Sequence, residues 1–322
     1  MAISLSSGVR QSLQSLTSTA ALAQVSQQRL ATGKKVNSAI DNPVNFFTAA
    51  GLNNRASDFQ GLMDGMSNSI QTIKSASTGI DSITKLVKSA QATVTQARNS
   101  SDQTVRESAK KQFGELMAQI NDLAKDSGFN GINLLAKDEL KTIFNEKTGG
   151  DKNELVIKGG VADPADATKQ VAVTAANLGI KGGAAGDSAT PQTDAGLDTA
   201  FGAKATAYAD PAAPTAAELT ARETLVTAQN TALDATADSL KTALTSLNSL
   251  ASGFGANLAI VQARKDFTSS MIDNLKIGAD NLVNADTNEE GANLLALQTR
   301  QQLSQTALSL SSQADQAVLR LF

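Results

Sequence analysis

From Leu233 onward, apolar residues recur in alternating steps of four and three: Ala237, Leu240, Leu244, Leu247, Ala251, Phe254, Leu258 and Val261. Lys265 and Thr268 interrupt the line, and Ile272, Leu275, Ala279 and Leu282 resume it in the same register. A step averaging 3.5 residues keeps one stripe of an α-helix turned toward a partner, whereas a strand changes face at every residue. At 1.5 Å per residue, a helix carrying the whole run is roughly 75 Å long. The pattern predicts a rod.

The rest of the chain repeats this grammar. Val9, Leu13, Leu16, Ala20, Ala23 and Leu30 form an amino-terminal seam with Gln27 as its polar interruption. Thr32-Gly33 and Asn42-Pro43 then predict a break, because the residue before proline is pushed out of the α region. A second helix carries Leu52, Ala56, Phe59, Met63, Met66, Ile70 and Ile73, and continues with Ala76, Ile80, Ile83, Val87, Ala90, Val94 and Ala97. Two successive steps of three around Ile73 make a stammer. Gly61, Gly65 and Gly79 each weaken that helix by roughly 1 kcal/mol relative to alanine, so packing must hold it. A third helix shows Ala109, Phe113, Leu116, Ile120 and Leu123 and ends before Ser127-Gly128. The last segment, with Ala296, Leu303, Ala307, Leu310, Ala314, Ala317 and Leu321, mirrors the first. Met63 and Met66 occupy seam positions and are read as core.

Between these arms the composition changes. Ten of the 23 glycines lie from Gly149 to Gly202, and four of the five prolines from Pro164 to Pro214, which marks a loop-rich insert. Short β signals border it at Ile132–Leu135, Leu140–Phe144 and Leu155–Ile157, with a weaker one at Val171–Val173. The fold class expected is mainly α: an elongated, coiled-coil-like rod from the terminal segments, with a small mixed or β insert.

Composition removes whole classes of function. With no His and no Cys there is no imidazole base, no thiol nucleophile, no disulfide and no His- or Cys-ligated zinc. A net charge of −3 and the absence of a basic stripe argue against nucleic acid as a partner. No stretch approaches the roughly 18 apolar residues of a membrane span, so no membrane insertion is expected, and no signal-peptide pattern opens the chain.

These arms also resemble a known family. The run from Gln28-Arg29-Leu30-Ala31-Thr32-Gly33-Lys34-Lys35 to Val36-Asn37-Ser38-Ala39, then Asp41-Asn42-Pro43 and Asn53-Asn54-Arg55, is similar to bacterial flagellins. So are Gly128-Phe129-Asn130-Gly131-Ile132-Asn133-Leu134-Leu135, Ala285-Asp286-Thr287-Asn288-Glu289-Glu290 and the terminal Val318-Leu319-Arg320-Leu321-Phe322. The likeness, to alphaproteobacterial-type flagellins, spans roughly residues 1 to 145 and 230 to 322 and leaves the insert unmatched. It implies a structural subunit, not an enzyme, that forms the extracellular flagellar filament as a helical homopolymer and needs no cofactor. It implies partners as well: the flagellar export apparatus and an export chaperone, the filament cap and the hook-junction proteins. The corresponding division is a filament-core helix at 1–43, rod helices and a β-hairpin at 44–147, a variable outer domain at 148–214, a long rod helix at 215–283 and a second core helix at 284–322. Val9, Leu13, Leu16, Leu30, Leu303, Leu310 and Leu321 are the expected assembly interface. A hook-filament junction protein shares both arms and is one alternative; a secreted adhesin acting through the insert is another.

Other motifs are read as incidental. Asp286, Asn288, Glu290 and Gly291 match part of a calcium loop, but Leu297 stands where a bidentate Glu is required; Asp286 and Glu289 are expected to favour a helix start instead. Ser82–Lys85 and Ser108–Lys111 have the Ser-x-x-Lys spacing without its companion motifs. Gly182–Gly186 lacks the Lys-Ser/Thr of a phosphate loop, and Asp234 and Asp238 read as solvated like charges. The flagellin stretch that engages an innate-immune receptor, Arg-Val-Arg-Glu-Leu in type, aligns with Ser89, Ala90, Gln91, Ala92 and Thr93 here. Weak receptor signalling by the purified monomer is the expectation, and strong signalling would refute it.

Overall fold

The computed structural model describes residues 7–100, 102–162, 169–180 and 216–319. Helices α1 (Ser7–Thr32), α2 (Pro43–Asn99) and α3 (Gln103–Asp126) precede four short strands, β1 (Glu139–Ile143), β2 (Glu154–Lys158), β3 (Val161–Ala162) and β4 (Gln170–Val171). Helices α4 (Ala216–Val283) and α5 (Thr287–Leu319) follow. The fold is the mainly helical one expected, with a small strand-containing insert. Two compact units are present: Met1–Gln60 with Ser270–Phe322, and Gly61–Ser269.

In the second unit α2, α3 and α4 share one core. Every expected α2 position from Met66 to Ala97 is buried, across the stammer and without a break in the helix. Extra burial of Ser69 and Thr72 accompanies the phase change, where the Thr142 hydroxyl of β1 donates to Ser69 Oγ at 2.8 Å. Gly79 has a specific reason to lack a side chain. A Cβ there would lie 2.2 Å from Ser127 Oγ and 2.8 Å from Leu135, where the end of α3 presses on α2.

On α4, Leu233, Leu240, Leu247, Phe254 and Val261 are the deeply buried line. The intervening expected positions, Ala237, Leu244, Ala251 and Leu258, are half-buried, and Thr236 and Ala243 are sealed instead. Helix α3 shows the same displacement: Met117 and Ala124 are buried while Leu116 and Leu123 pack at the margin. A helix touching two neighbours buries a face wider than one seam.

Arg106 ties the unit's polar end together. Its Nε donates to Ala97 O at 3.1 Å and Ser100 O at 2.9 Å, its Nη2 donates to Asn230 Oδ1 at 3.0 Å, and its Nη1 donates to Gln229 Oε1. Carbonyls at the end of α2 thus meet a cation, as helix C-termini favour. Burial pulls the Arg106 pKa below the usual guanidinium value. Arg98 pairs with Asp234 at 2.9 Å, so Asp234 is not merely a solvated charge; Asp238 pairs with Lys241 at 3.1 Å.

The insert begins with a correction. Ile132–Leu135 is not a strand. Asn130 and Gly131 both have positive φ, 50° and 80°, in a tight turn closed by Phe129 and Ile132. Asn133 then caps a short 3₁₀ turn, Leu134–Ala136. The next two signals are strands: β1 and β2 form an antiparallel hairpin that turns Leu140, Thr142 and Ile157 inward. The weak signal at Val171 falls on β4, which pairs with β3, a strand not anticipated. Gly160, at φ +85°, lets the chain pass where a Cβ would stand 2.2 Å from Val171 O. Gly182–Gly186 lies outside the described residues.

Candidate assembly surface

In the first unit α1 and α5 run antiparallel along each other. Gly8 approaches Ser311, whose Oγ is 3.5 Å from where a Cβ would be, and Arg29 Nη1 donates to Glu290 Oε1 at 2.9 Å. Arg29 lies three heptads beyond Gly8, and Glu290 three heptads before Ser311, so one register holds over the whole contact. Helix α5 starts where expected, because Asp286 Oδ1 accepts from the Asn288 N–H at 2.8 Å and the Glu289 N–H at 3.3 Å. That use of Asp286, and the engagement of Glu290 by Arg29, accounts for two of the partial calcium-loop residues.

The surfaces that meet mix aliphatic residues with small and polar ones. On α1 the shielded residues are Val9, Ser12, Leu16, Thr19, Ala23 and Ser26; on α5 they are Glu290, Leu294, Leu297, Gln301, Ser304, Leu308 and Ser311. Both sets follow alternating steps of three and four. Thr19 can be buried cheaply because its hydroxyl donates to Ser15 O at 2.8 Å, within its own helix. Hydrogen bonding from Arg29, opposed by burial and aided by Ser26, holds the Glu290 carboxyl below the usual carboxylate range.

A second set of large apolar residues faces away from the contact. Of the expected interface, Val9 is buried within the chain and Leu16 is half-buried. Leu13 is 46% exposed, Leu303 66% and Leu310 69%; Leu30, Leu22, Val25 and Leu295 are exposed too. Leu321 lies outside the described residues. Charge is nearly absent from this surface: α1 has no ionisable residue between Arg10 and Arg29, and α5 beyond Glu290 has only Arg300 and Asp315. An ordinary surface helix covers its outer face with charges. This pair offers leucine, serine and glutamine instead.

Sequence reading missed Arg29, Ser26 and Glu290 as a site. Arg29 stands in the last turn of the first helix and Glu290 in the first turn of the last, but only the register of the two helices pairs them. Among the described residues no cluster of acidic side chains could hold a metal ion, and no helix is long and apolar enough to cross a membrane.

The chain matches the bacterial flagellin N-terminal helical region over residues 5–139 and the bacterial flagellin C-terminal helical region over residues 237–322. It is 30% identical to Flagellin FljM of Caulobacter vibrioides across 99% of its own length and 98% of that protein. The chain belongs to the bacterial flagellin family. A flagellin of Brucella melitensis is 24% identical over 96% of the chain and 95% of its own length. Flagellin A of Rhizobium meliloti is 40% identical over 91 residues, 28% of this chain and 23% of that protein. The matched regions contain α1, α2, α3 and α5 and most of α4, whereas β2, β3 and β4 lie in the unmatched interval.

Proposed function

We propose that this chain is the structural subunit that polymerises into an extracellular bacterial flagellar filament, and that the uncharged leucine surface of α1 and α5 is where copies meet. Membership of a structural protein family supports the first part. The observation that carries the second is the division of labour on these helices. One heptad-spaced set, small residues with Val9, Leu16, Leu294, Leu297, Leu308 and one ion pair, makes the contact inside the chain, while Leu13, Leu30, Leu303 and Leu310 stay available to neighbours. Exposed leucines at heptad spacing gain little in water and about 1.5–3 kcal/mol each on full burial. Contacts between different surfaces of identical chains propagate as an open filament where the rotation between copies does not close.

The same reading assigns 1–43 and 284–322 to the filament core, 44–147 and 215–283 to the supporting helices and 148–214 to the outer surface. Val9 and Leu16 support the core by fixing the α1–α5 contact. The export apparatus, an export chaperone, the cap and the hook-junction proteins complete the set of partners. Polymerisation of the Leu310→Asp chain tests the assignment. A carboxylate buried unpaired at every repeat costs several kcal/mol, so filaments are lost while the monomer keeps its helix content. Normal filaments by electron microscopy would overturn it.

A further inference from the structure

A second pair of apolar surfaces lies outside the α1–α5 contact. The first is the entry to α2. Ile40 is 94% exposed, and Val44 and Phe47, three apart on the first turns of the helix, are exposed as well. This segment is firmly built. Asp41 Oδ2 accepts from the N–H groups of Asn37 and Ser38, each at 2.9 Å, and from the Ser38 hydroxyl at 3.2 Å. Asn42 Oδ1 accepts from the Asn45 N–H at 3.0 Å and caps the helix. Backbone bonds from Lys35 and Val36 to Val283 O, and from Ala285 to Gly33 O, fasten the preceding turn. Three large apolar side chains are therefore held out from a braced support.

The second surface is a stripe on α4. Gly253, Ala256, Ile260, Ala263 and Phe267 follow each other at steps of three and four, all exposed, beside the buried line that holds the core. Phe267 is 56% exposed. No charge lies on the stripe, and the adjacent Arg264 guanidinium sits over the Phe144 ring, 5.4 Å from its centroid. Exposed faces elsewhere in the unit are different: Asp64, Asn68, Gln71 and Lys74 on α2, Lys111, Glu115 and Asp122 on α3. Glycine and alanine make a shallow floor about 20 Å long, rimmed by Ile260 and Phe267.

We infer that the Ile40–Val44–Phe47 projection of one copy seats on the Gly253–Phe267 stripe of another. The inference rests on the self-assembly reading above. The occupant is a second copy because the chain itself carries both halves, an apolar projection and an uncharged shallow receptor. Joined between successive copies, two unlike patches extend an open series wherever the rotation from copy to copy does not close into a ring.

The chain has no Cys, so introduced cysteines report without background. Val44→Cys and Ala263→Cys chains are mixed and grown on filament seeds, then oxidised. A dimer containing one chain of each kind is expected in filaments, absent from monomers and from either variant alone. Filaments of the mixture without that dimer overturn the docking and leave self-assembly standing. Unmodified chain that fails to extend seeds defeats self-assembly itself. A double-mutant cycle keeps the test decisive if a cysteine chain does not polymerise. Phe47→Ser and Phe267→Ser should each raise the critical concentration about tenfold, with the double variant far below the hundredfold product. A full product overturns the docking. Circular dichroism of each monomer establishes that its helices are intact.

Discussion

The α1–α5 pair and the α2–α3–α4 core are written in the same heptad grammar and use it in opposite ways. In the core the largest side chains lie inside: Ile73, Ile83, Phe113, Leu247 and Phe254 have essentially no exposed surface. In the pair Thr19, Ala23, Ser26, Ser304 and Ser311 share the inside with half-buried Leu16, Leu294, Leu297 and Leu308, while Leu13, Leu303 and Leu310 face water. Periodicity fixes which residues share a face; side-chain volume and hydrogen-bond self-sufficiency fix which face is used first. One region completes itself within the chain, and in the assembly reading proposed above the other is completed by neighbours.

Substitutions can break that contrast. The largest effect on the monomer is expected from Phe254→Ala, a cavity in the core worth about 3–5 kcal/mol, measured by thermal or denaturant unfolding. Arg106→Met follows at about 1–3 kcal/mol, because the carbonyls of Ala97 and Ser100 and the amide oxygens of Gln229 and Asn230 lose a charged donor at a partly buried site. Glu290→Gln should cost about 1 kcal/mol, since Arg29 is partly exposed, and the loss should be confined to hydrogen-exchange protection of α1 and α5. Smallest in the monomer is Leu303→Ser, within about 0.5 kcal/mol of the parent, although filament growth should fall sharply. A Leu303→Ser monomer as unstable as Phe254→Ala would end the contrast between the two regions.

Acidification sharpens it. Hydrogen bonds hold Glu290 and Asp41 below the usual carboxylate range. Their contribution is therefore present above the ordinary carboxylate pKa and is lost as pH falls through it toward their own lowered values. Glu154, depressed by Lys152, is a comparable group in the second unit, on the insert hairpin. Protection of α1 and α5 amides should consequently fade on acidification before that of α2 and α4, as hydrogen exchange at stepped pH would record. Simultaneous loss in both regions would contradict this order.

The sequence was most legible where large apolar residues did the burying. Helix α2 follows its expected line from Met66 to Ala97, including the stammer, because no small polar residue competes for the seam over most of its length. Helix α1 departs from expectation at every other step: Ser12, Thr19 and Ser26 are shielded where Leu13, Ala20 and Gln27 were expected. A hydropathy pattern counts serine and threonine as surface, and a hydroxyl that bonds its own helix or a facing carboxylate escapes that count. Ile132–Leu135 misled for another reason. Its β-branched and leucine content fits a strand, but the positive φ at Asn130 and Gly131 and the Asn133 cap fold the chain into a turn and a single 3₁₀ turn. The candidate interface was legible as residue types and spacing, while the pairing of Arg29 with Glu290 needed the register of two helices far apart in sequence.

The near absence of ionisable groups along α1 and α5 has a kinetic consequence. Partners approaching that surface feel little long-range attraction or repulsion, so their encounter is governed by diffusion and orientation and changes little with ionic strength. A subunit built this way adds to its neighbours by shape, at a pace that the salt of its surroundings does not set.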